Sequence, residues 1–316
     1  MNTFIIIGSG NSGAGAIYDY LSGRDDFENP FGNAEFRLLN DPNGISDFYD
    51  KLYSNFNINK CANALYEFRK FVKDSINSRY NIKHKIYNKN FVNYIDTFIK
   101  NITELKYSGS PRFYLDKISL YKKIFFYFNR FFFNKNARNI IPIDMFLPVR
   151  EDLFIIHAQK LIEDIIKHKI KDENKNIVIE QGANFFSPYS SKKFYKNSKI
   201  IKVTRDPKAI YWSMKRRNSL SYPGHDLIMF VNWFKKIMER NNLDDSKDVI
   251  NINFENFFIN FKNEEKKLLQ KLELNIDVYN NFDLNFTKKN LFKFKENLSA
   301  TEIKYINSNL EKYVTC

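Results

Sequence analysis

The first apolar positions of the chain are continuous and then abruptly punctuated. Phe4-Ile5-Ile6-Ile7 runs without a polar break into Gly8-Ser9-Gly10-Asn11-Ser12-Gly13-Ala14-Gly15, after which Ile17, Tyr18 and Leu21 recur at helical spacing. An uninterrupted apolar run bounded by glycine predicts a strand buried on both faces, as in a parallel sheet. The loop and the helix behind it predict an anion cradle, because free N–H groups and the positive end of the helix dipole face the turn. Gly23 is placed to end that helix, and Asn29-Pro30, Gly32-Asn33 and Asp41-Pro42-Asn43-Gly44 mark turns. Between them Ala34–Leu39 is expected as a short second strand, with Glu35 toward the carboxyl end of the sheet, where open α/β folds place ligands.

Apolar spacing then becomes helical. Leu52, Phe56, Ala62, Leu65, Phe68 and Phe71 recur on one such pattern, Phe91, Tyr94, Ile95 and Phe98 on another, and Tyr107-Ser108-Gly109-Ser110-Pro111 breaks the chain between segments. Glu151–Lys169 predicts a long amphipathic helix with Phe154, Ile155, Ala158, Leu161, Ile162, Ile165 and Ile166 on its apolar face. No strand pattern returns before Ile177. The expected fold is therefore α/β, a P-loop-like parallel sheet flanked by helices, with a core of residues 1–44 and 172–316. Residues 45–171 are expected as a large helical insertion that shapes the acceptor site. Within it Lys122–Arg138 sets aromatics between basic residues. A core helix with solvated ends is the expectation there, and a surface resting on anionic lipid is the alternative.

Charge changes the picture next. Lys and Arg exceed Asp and Glu by 50 − 36 = 14, an excess that suits an anionic partner such as a phosphorylated cofactor, nucleic acid, acidic glycan or membrane surface. Cys61 and Cys316 make no disulfide framework, and neither they nor His157 and His168 have metal-ligand spacing. No metal is expected, and a reducing compartment fits. The chain opens directly on its first strand, without a basic, cleavable leader, and has no apolar window long enough to span a bilayer. A cytoplasmic protein is expected, with association at the inner face of the membrane as an alternative.

The opening loop fits two cradles. Gly8-Ser9-Gly10-Asn11-Ser12-Gly13 matches the dinucleotide pattern G-x-G-x-x-G, yet lacks the Gly-Lys-Ser/Thr ending that supplies a lysine to an NTPase phosphate. The dinucleotide reading needs an acidic residue about twenty positions on, at the end of a second strand, and Glu35 is its candidate. The stretch Asn176–Arg217 decides between them. Ile177-Val178-Ile179 ends in Glu180, and Lys199–Thr204 ends in Arg205-Asp206-Pro207. Pro207 suits the first turn of a helix with Asp206 as its cap, and Ser213 follows eight residues after Arg205.

A strand, Arg-Asp-Pro, and a helix carrying this serine resemble the 3′-phosphate site of PAPS-dependent sulfotransferases, of the bacterial, carbohydrate-sulfotransferase-like kind. Gly8, Ser12 and Gly13 match the G-x-x-x-S-G core of that family's 5′-phosphosulfate loop. Ile179-Glu180 with Asn184-Phe185-Phe186 is similar to its acceptor-side loop, and Val249–Phe254 with Glu255-Asn256-Phe257 to its Tyr-Glu-Asp-Leu strand. Leu268–Leu274 resembles the short helix that follows, and Phe292–Ser299 the tail in which a basic residue approaches the cofactor. The resemblance implies transfer of a sulfuryl group from PAPS to a hydroxyl or amine of a carbohydrate, leaving PAP, with no metal. It implies cofactor binding by Gly10, Asn11, Ser12, Gly13, Ala14, Gly15, Arg205, Ser213, Lys293 and Lys295.

Glu35 is the implied general base, and His225, in the turn Ser221-Tyr222-Pro223-Gly224-His225, is its rival. Arg37, Glu180, Asn184 and Tyr222, with Trp233, are candidates for the acceptor pocket. A glycan or lipid-linked glycan is the expected partner, not nucleic acid. Two positions depart from the family: Asn11 stands where Arg or Lys usually precedes Ser-Gly, and Gln181 where a lysine often follows the glutamate. A missing cation removes charge stabilisation from the transferring group; Arg37, Arg112 and Arg150 are the candidates to replace it. A Rossmann-type oxidoreductase and a non-catalytic binding protein on the same scaffold are the competing readings.

Overall fold

The computed structural model describes residues 2–109, 119–133, 143–217, 222–241 and 247–315. The chain enters through β1 (Thr3–Gly8), α1 (Ala14–Ser22) and the two-residue β2 (Phe27–Glu28). There follow α2 (Ile45–Tyr53), α3 (Ile58–Ile76), α4 (Arg79–His84), α5 (Lys89–Asn101), β3 (Thr103–Gly109), α6 (Leu120–Phe133), β4 (Ile143–Pro148) and α7 (Glu151–Lys167). It then forms β5 (Asn176–Glu180), α8 (Pro188–Lys192), β6 (Ser198–Thr204), α9 (Pro207–Arg217), α10 (Leu227–Glu239) and β7 (Val249–Asn253). The last elements are α11 (Phe254–Ile259), α12 (Phe261–Leu272), α13 (Leu284–Asn290), α14 (Phe294–Asn297) and α15 (Ala300–Leu310). Two compact units result, Met1–Leu39 with Ile165–Cys316, and Asn40–Asp164.

The first unit is built on a five-stranded parallel sheet in the order β2-β5-β1-β6-β7. Every residue of β1 is buried, as its unbroken apolar sequence requires of a central strand covered on both faces. One face packs Phe4, Ile6, Val178, Ile201 and Ile250 against Ile17, Tyr18 and Leu21 of α1, with Phe254, Phe257 and Phe258 of α11 joining them. A second cluster gathers α9, α10 and α15 around Met214, Phe230, Phe234 and Ile306. Gly23 closes α1, its N–H donating to the carbonyl of Asp19.

This strand order settles one question raised by the loop. In dinucleotide-binding folds the second strand pairs directly with the first. Here β5 lies between β1 and β2, and Glu28 at the end of β2 is engaged in accepting the N–H groups of Lys171 and Asp172 at 2.8 and 2.9 Å.

Ala34–Leu39 is not the second strand. Glu35 makes an isolated parallel bridge to Glu180, and Phe36 N–H donates to the Glu180 carbonyl at 2.8 Å. Pairing stops there because β5 itself ends: Gln181, with φ 56°, turns the chain away. The alternation of Ala34, Phe36 and Leu38, all buried, thus reflects a half-buried extended segment without a partner strand.

The second unit is helical with one addition. β3 and β4 form an antiparallel pair, Tyr107 opposite Met145, which corrects the expectation of no strand before Ile177. The alternation Thr103-Glu104-Leu105-Lys106-Tyr107 is too short to stand out beside the helices. Tyr107–Gly109, expected as a break, belongs to β3; Ser110 and Pro111 lie outside the described residues. The core of this unit is aromatic: Phe48 stacks on Phe68 at 4.7 Å, and Phe154 meets Phe48, Tyr49, Tyr53 and Phe98 at 5.5–5.9 Å. The basic aromatic stretch forms α6, and it is not a core helix: Phe126 alone among its described side chains is buried. Among the described residues no helix is long and apolar enough to cross a membrane.

Phe154→Ala removes a fully buried ring with four aromatic neighbours, and a loss of about 3–5 kcal/mol is expected in urea unfolding. Leu153→Ala, at an exposed neighbouring position, should change stability by no more than about 0.5 kcal/mol. Equal effects would contradict this packing.

Candidate functional site

The loop after β1 is tight. Ser12 N–H donates to the Ser9 carbonyl at 2.9 Å, Asn11 adopts φ 65°, and Gly13, at φ 84°, is the N-cap of α1. No side chain caps α1 and its first turn holds no acidic residue, so the free N–H groups and the dipole's positive end meet the loop without a counter-charge. Two rings wall the loop. A Cβ at Gly10 would lie 2.7 Å from the Tyr222 ring, and one at Gly13 2.5 Å from Phe254. Ser12 is buried, and among the described residues its hydroxyl has no hydrogen-bond partner. An unsatisfied buried hydroxyl costs about 1–3 kcal/mol, which a bound anionic oxygen would offset.

Arg205, just past the end of β6, joins this loop to the start of α11. Its Nη1 donates to the Asn11 carbonyl at 3.1 Å, its Nε lies 3.6 Å from Glu255 Oε1, and its guanidinium sits 4.7 Å from the centre of the Phe254 ring. Asp206 behind it is fully buried. It accepts Lys208 N–H at 2.8 Å and Thr315 N–H at 3.0 Å, pairs with the Lys208 ammonium at 3.6 Å, and donates its own N–H to Glu255 Oε2 at 3.1 Å. Burial raises the Glu255 carboxyl pKa, while Arg205 opposes the shift. Ser213 is buried one side of α9 away, and α14, with Lys293 half-buried and Lys295 exposed beside Phe292, lies against the same helix.

Glu35 and Glu180 form the second feature. The backbone bridge between them brings their side chains to the end of β5. Glu180 Oε1 lies 3.4 Å from where a Cβ of Gly15 would be, at the first turn of α1. Burial, then the charges of Glu35 and Asp19, push the Glu180 carboxyl up to about 7. A group with this pKa exchanges its proton near neutral pH.

The remaining candidates separate. Tyr222 covers Gly10 and meets Trp233 at 5.6 Å, so it is a wall of the loop. Asn184 accepts Phe186 N–H at 2.8 Å and its own N–H donates to Ser191 Oγ, which holds the turn into α8. Arg37 is exposed on the segment of Glu35, and His225 is exposed in its turn; Ser221 lies outside the described residues. Of the candidate replacement cations, Arg150 is salt-bridged to Asp152 at 2.6 Å within the other unit, and Arg112 lies outside the described residues. Among the described residues no cluster of His, Cys, Asp or Glu is arranged to hold a metal.

Sequence reasoning missed the ionic group around Arg205 and the buried Lys202, whose ammonium sits 4.9 Å from the Phe185 ring centre. A lysine inside an otherwise apolar strand was the available signal.

No family model matches this chain, and no curated protein does. Among the solved structures similar to it are two sulfotransferase domains. The sulfotransferase domain of the curacin biosynthetic pathway is 13% identical with a TM-score of 0.45, covering 99% of this chain and 98% of that one. The sulfotransferase domain of the Synechococcus PCC 7002 olefin synthase is 11% identical with a TM-score of 0.37, covering 87% and 74%. Likenesses this low in identity and TM-score leave the functional reading to the residues themselves.

The Glu180 shift has a stability signature. The folded protein holds this proton to about pH 7, whereas the unfolded chain releases it near 4.5. Stability therefore falls as pH rises through that window and stays lowered above it. Glu180→Gln should stabilise the protein by about 1–3 kcal/mol at pH 8 and by much less at pH 5. Urea unfolding at the two pH values reads this directly, and a pH-independent effect would contradict it.

Proposed function

We propose that this chain is a PAPS-dependent sulfotransferase acting on a hydroxyl or amine of a carbohydrate. One observation carries the reading: Arg205 of the strand–Arg-Asp-Pro–helix unit reaches the carbonyl of Asn11, so the two elements that carry the resemblance meet at one place. The residues fit an anionic nucleotide. The cradle excludes a Cβ at Gly10 and Gly13, the α1 N-terminus is uncapped, and the Ser12 hydroxyl is buried without a partner.

In this reading the N–H groups from Gly10 through Gly15, together with Ser12, hold the 5′-phosphosulfate, and Arg205 and Ser213 the 3′-phosphate. Arg205 suits this because a planar, permanently charged guanidinium binds phosphate bidentately. Lys293 and Lys295 add positive charge from α14. When bound, PAPS supplies the activated sulfuryl group. Glu35 takes the proton from the acceptor oxygen or nitrogen, and Glu180 beside it sets the charge of the pair. Arg37, Asn184 and Tyr222 would contact the acceptor, with a glycan or lipid-linked glycan as its class.

A non-catalytic PAP- or glycan-binding protein is the second reading, favoured by Asn11 and Gln181. Both sit at positive φ, a conformation asparagine accepts more readily than Lys or Arg. Local backbone geometry thus accounts for Asn11 where the family carries a cation.

Calorimetry with PAP and NADH tests the binding half. Wild type should bind PAP and not NADH, Ser213→Ala should weaken PAP about tenfold, and Arg205→Ala about 10- to 100-fold. NADH binding without PAP binding would sink the proposal. The chemical half is read by sulfuryl transfer from PAPS to desulfated polysaccharide fragments. Glu35→Gln should lower turnover about 10²- to 10⁴-fold, whereas His225→Ala should leave it within about threefold. PAP binding with no transfer to any glycan, in wild type, would favour the binding protein.

A further inference from the structure

The exposed aromatic helix α6 takes no part in the phosphate-binding loop or its ionic support. Tyr121, Ile124, Phe125, Phe128, Phe131 and Phe132 fall at i, i+3, i+4, i+7, i+10 and i+11, one stripe about 120° wide. All six are more than half exposed, Phe131 by 81% and Tyr121 by 73%. Phe126, on the opposite side of the helix, is buried. The exposed side chains thus form a continuous, mostly aromatic stripe on one face of the helix. Isolated exposed apolar residues are ordinary, whereas a contiguous stripe of this size marks a surface that something covers.

Charge identifies what covers it. From Lys117 to Ile143 the sequence has six cations, Lys117, Lys122, Lys123, Arg130, Lys135 and Arg138, and no Asp or Glu. By helical spacing Lys122 and Lys123 lie about 60° and 80° beyond the two edges of the stripe, toward the side of Phe126, and neither makes a salt bridge among the described ion pairs. An aromatic face with long lysine side chains on the flanks behind it suits a helix lying in a bilayer interface. The rings enter the boundary between headgroups and acyl chains while the long lysine stems carry their charges to anionic headgroups. A segment with no carboxylate also meets no repulsion from such a surface.

We infer that α6 is a monotopic membrane-binding element that seats this protein on anionic lipid bilayers. Vesicle cosedimentation tests it on the full chain, using phosphatidylcholine alone and phosphatidylcholine with about 30% phosphatidylglycerol. Wild type should bind the anionic vesicles at least about tenfold more tightly and lose most binding in about 0.5 M salt. Phe128→Ser/Phe131→Ser leaves the net charge unchanged and should lower anionic-vesicle binding by about tenfold or more; Lys122→Gln/Lys123→Gln should lower it by several-fold. Thermal melts of both variants should match wild type, because these side chains are not buried. Undiminished vesicle binding by the serine variant would overturn the inference and leave only general basic charge. So would a dimer in light scattering that the serine substitutions dissolve, with no vesicle binding by wild type, since the stripe would then be covered by a second copy of the chain.

Discussion

Arg205 sits where three parts of the first unit must agree. It stands at the carboxyl end of β6, touches the loop after β1 through Asn11, and lies against Phe254 and Glu255 at the start of α11. A guanidinium with only 11% of its side chain exposed is tolerable only with a paired charge. Glu255 supplies that charge, and Asp206, Lys208 and Thr315 hold Glu255 and its surroundings in place. The arrangement fixes the height of the glycine loop relative to β6, because moving the loop would strand a buried cation. Rigidity of this kind is what an anion site needs, since donors already in place cost no reorganisation when the ligand arrives.

The same economy explains the carboxylate pair. β5 ends at Glu180 because Gln181 turns away, and that ending leaves Glu35 with a single backbone partner. Two carboxyl groups are thereby held at the edge of the sheet, beside the first turn of α1. Burial first, then the charges of Glu35 and Asp19, raise the Glu180 pKa toward neutrality, whereas the unbalanced dipole of α1 favours negative charge nearby. The shift upward says that desolvation and the neighbouring carboxylates outweigh the dipole here. The Glu180 carboxyl thus holds its proton to near neutral pH at the edge of the sheet, beside the glycine loop.

β1 and β5 were legible because each is an unbroken apolar run that ends in glycine or glutamate, and β6 because its apolar run closes on Arg-Asp-Pro. The glycine loop was legible as the turn between β1 and α1, and Arg205 as the residue just past the end of β6. The pairing of those strands was not, since nothing in Phe27-Glu28 announces that it, and not Ala34–Leu39, adds to the sheet. Side-chain alternation reports burial, and burial occurs with or without a partner strand. The β3–β4 pair escaped for the opposite reason, being mostly exposed on Thr103–Gly109 and so lacking an apolar signature. Glu255 was visible only as part of a family-like segment; that it neutralises Arg205 depends on a contact fifty residues apart in sequence.

Composition misled most at α6. Aromatic density reads as core because large rings bury large areas, and a helical stripe of them normally faces inward. Periodicity gives the existence of an apolar face but not its direction, and the two faces of α6 differ in what the rest of the chain can cover. Among its described side chains Phe126 alone is buried, while Ile124 and the rings of Tyr121, Phe125, Phe128, Phe131 and Phe132 are exposed. A sequence that keeps carboxylates out of this stretch while spending them freely elsewhere restricts what can lie against it. A hydrophobic protein groove would need no such restriction, whereas an anionic interface would.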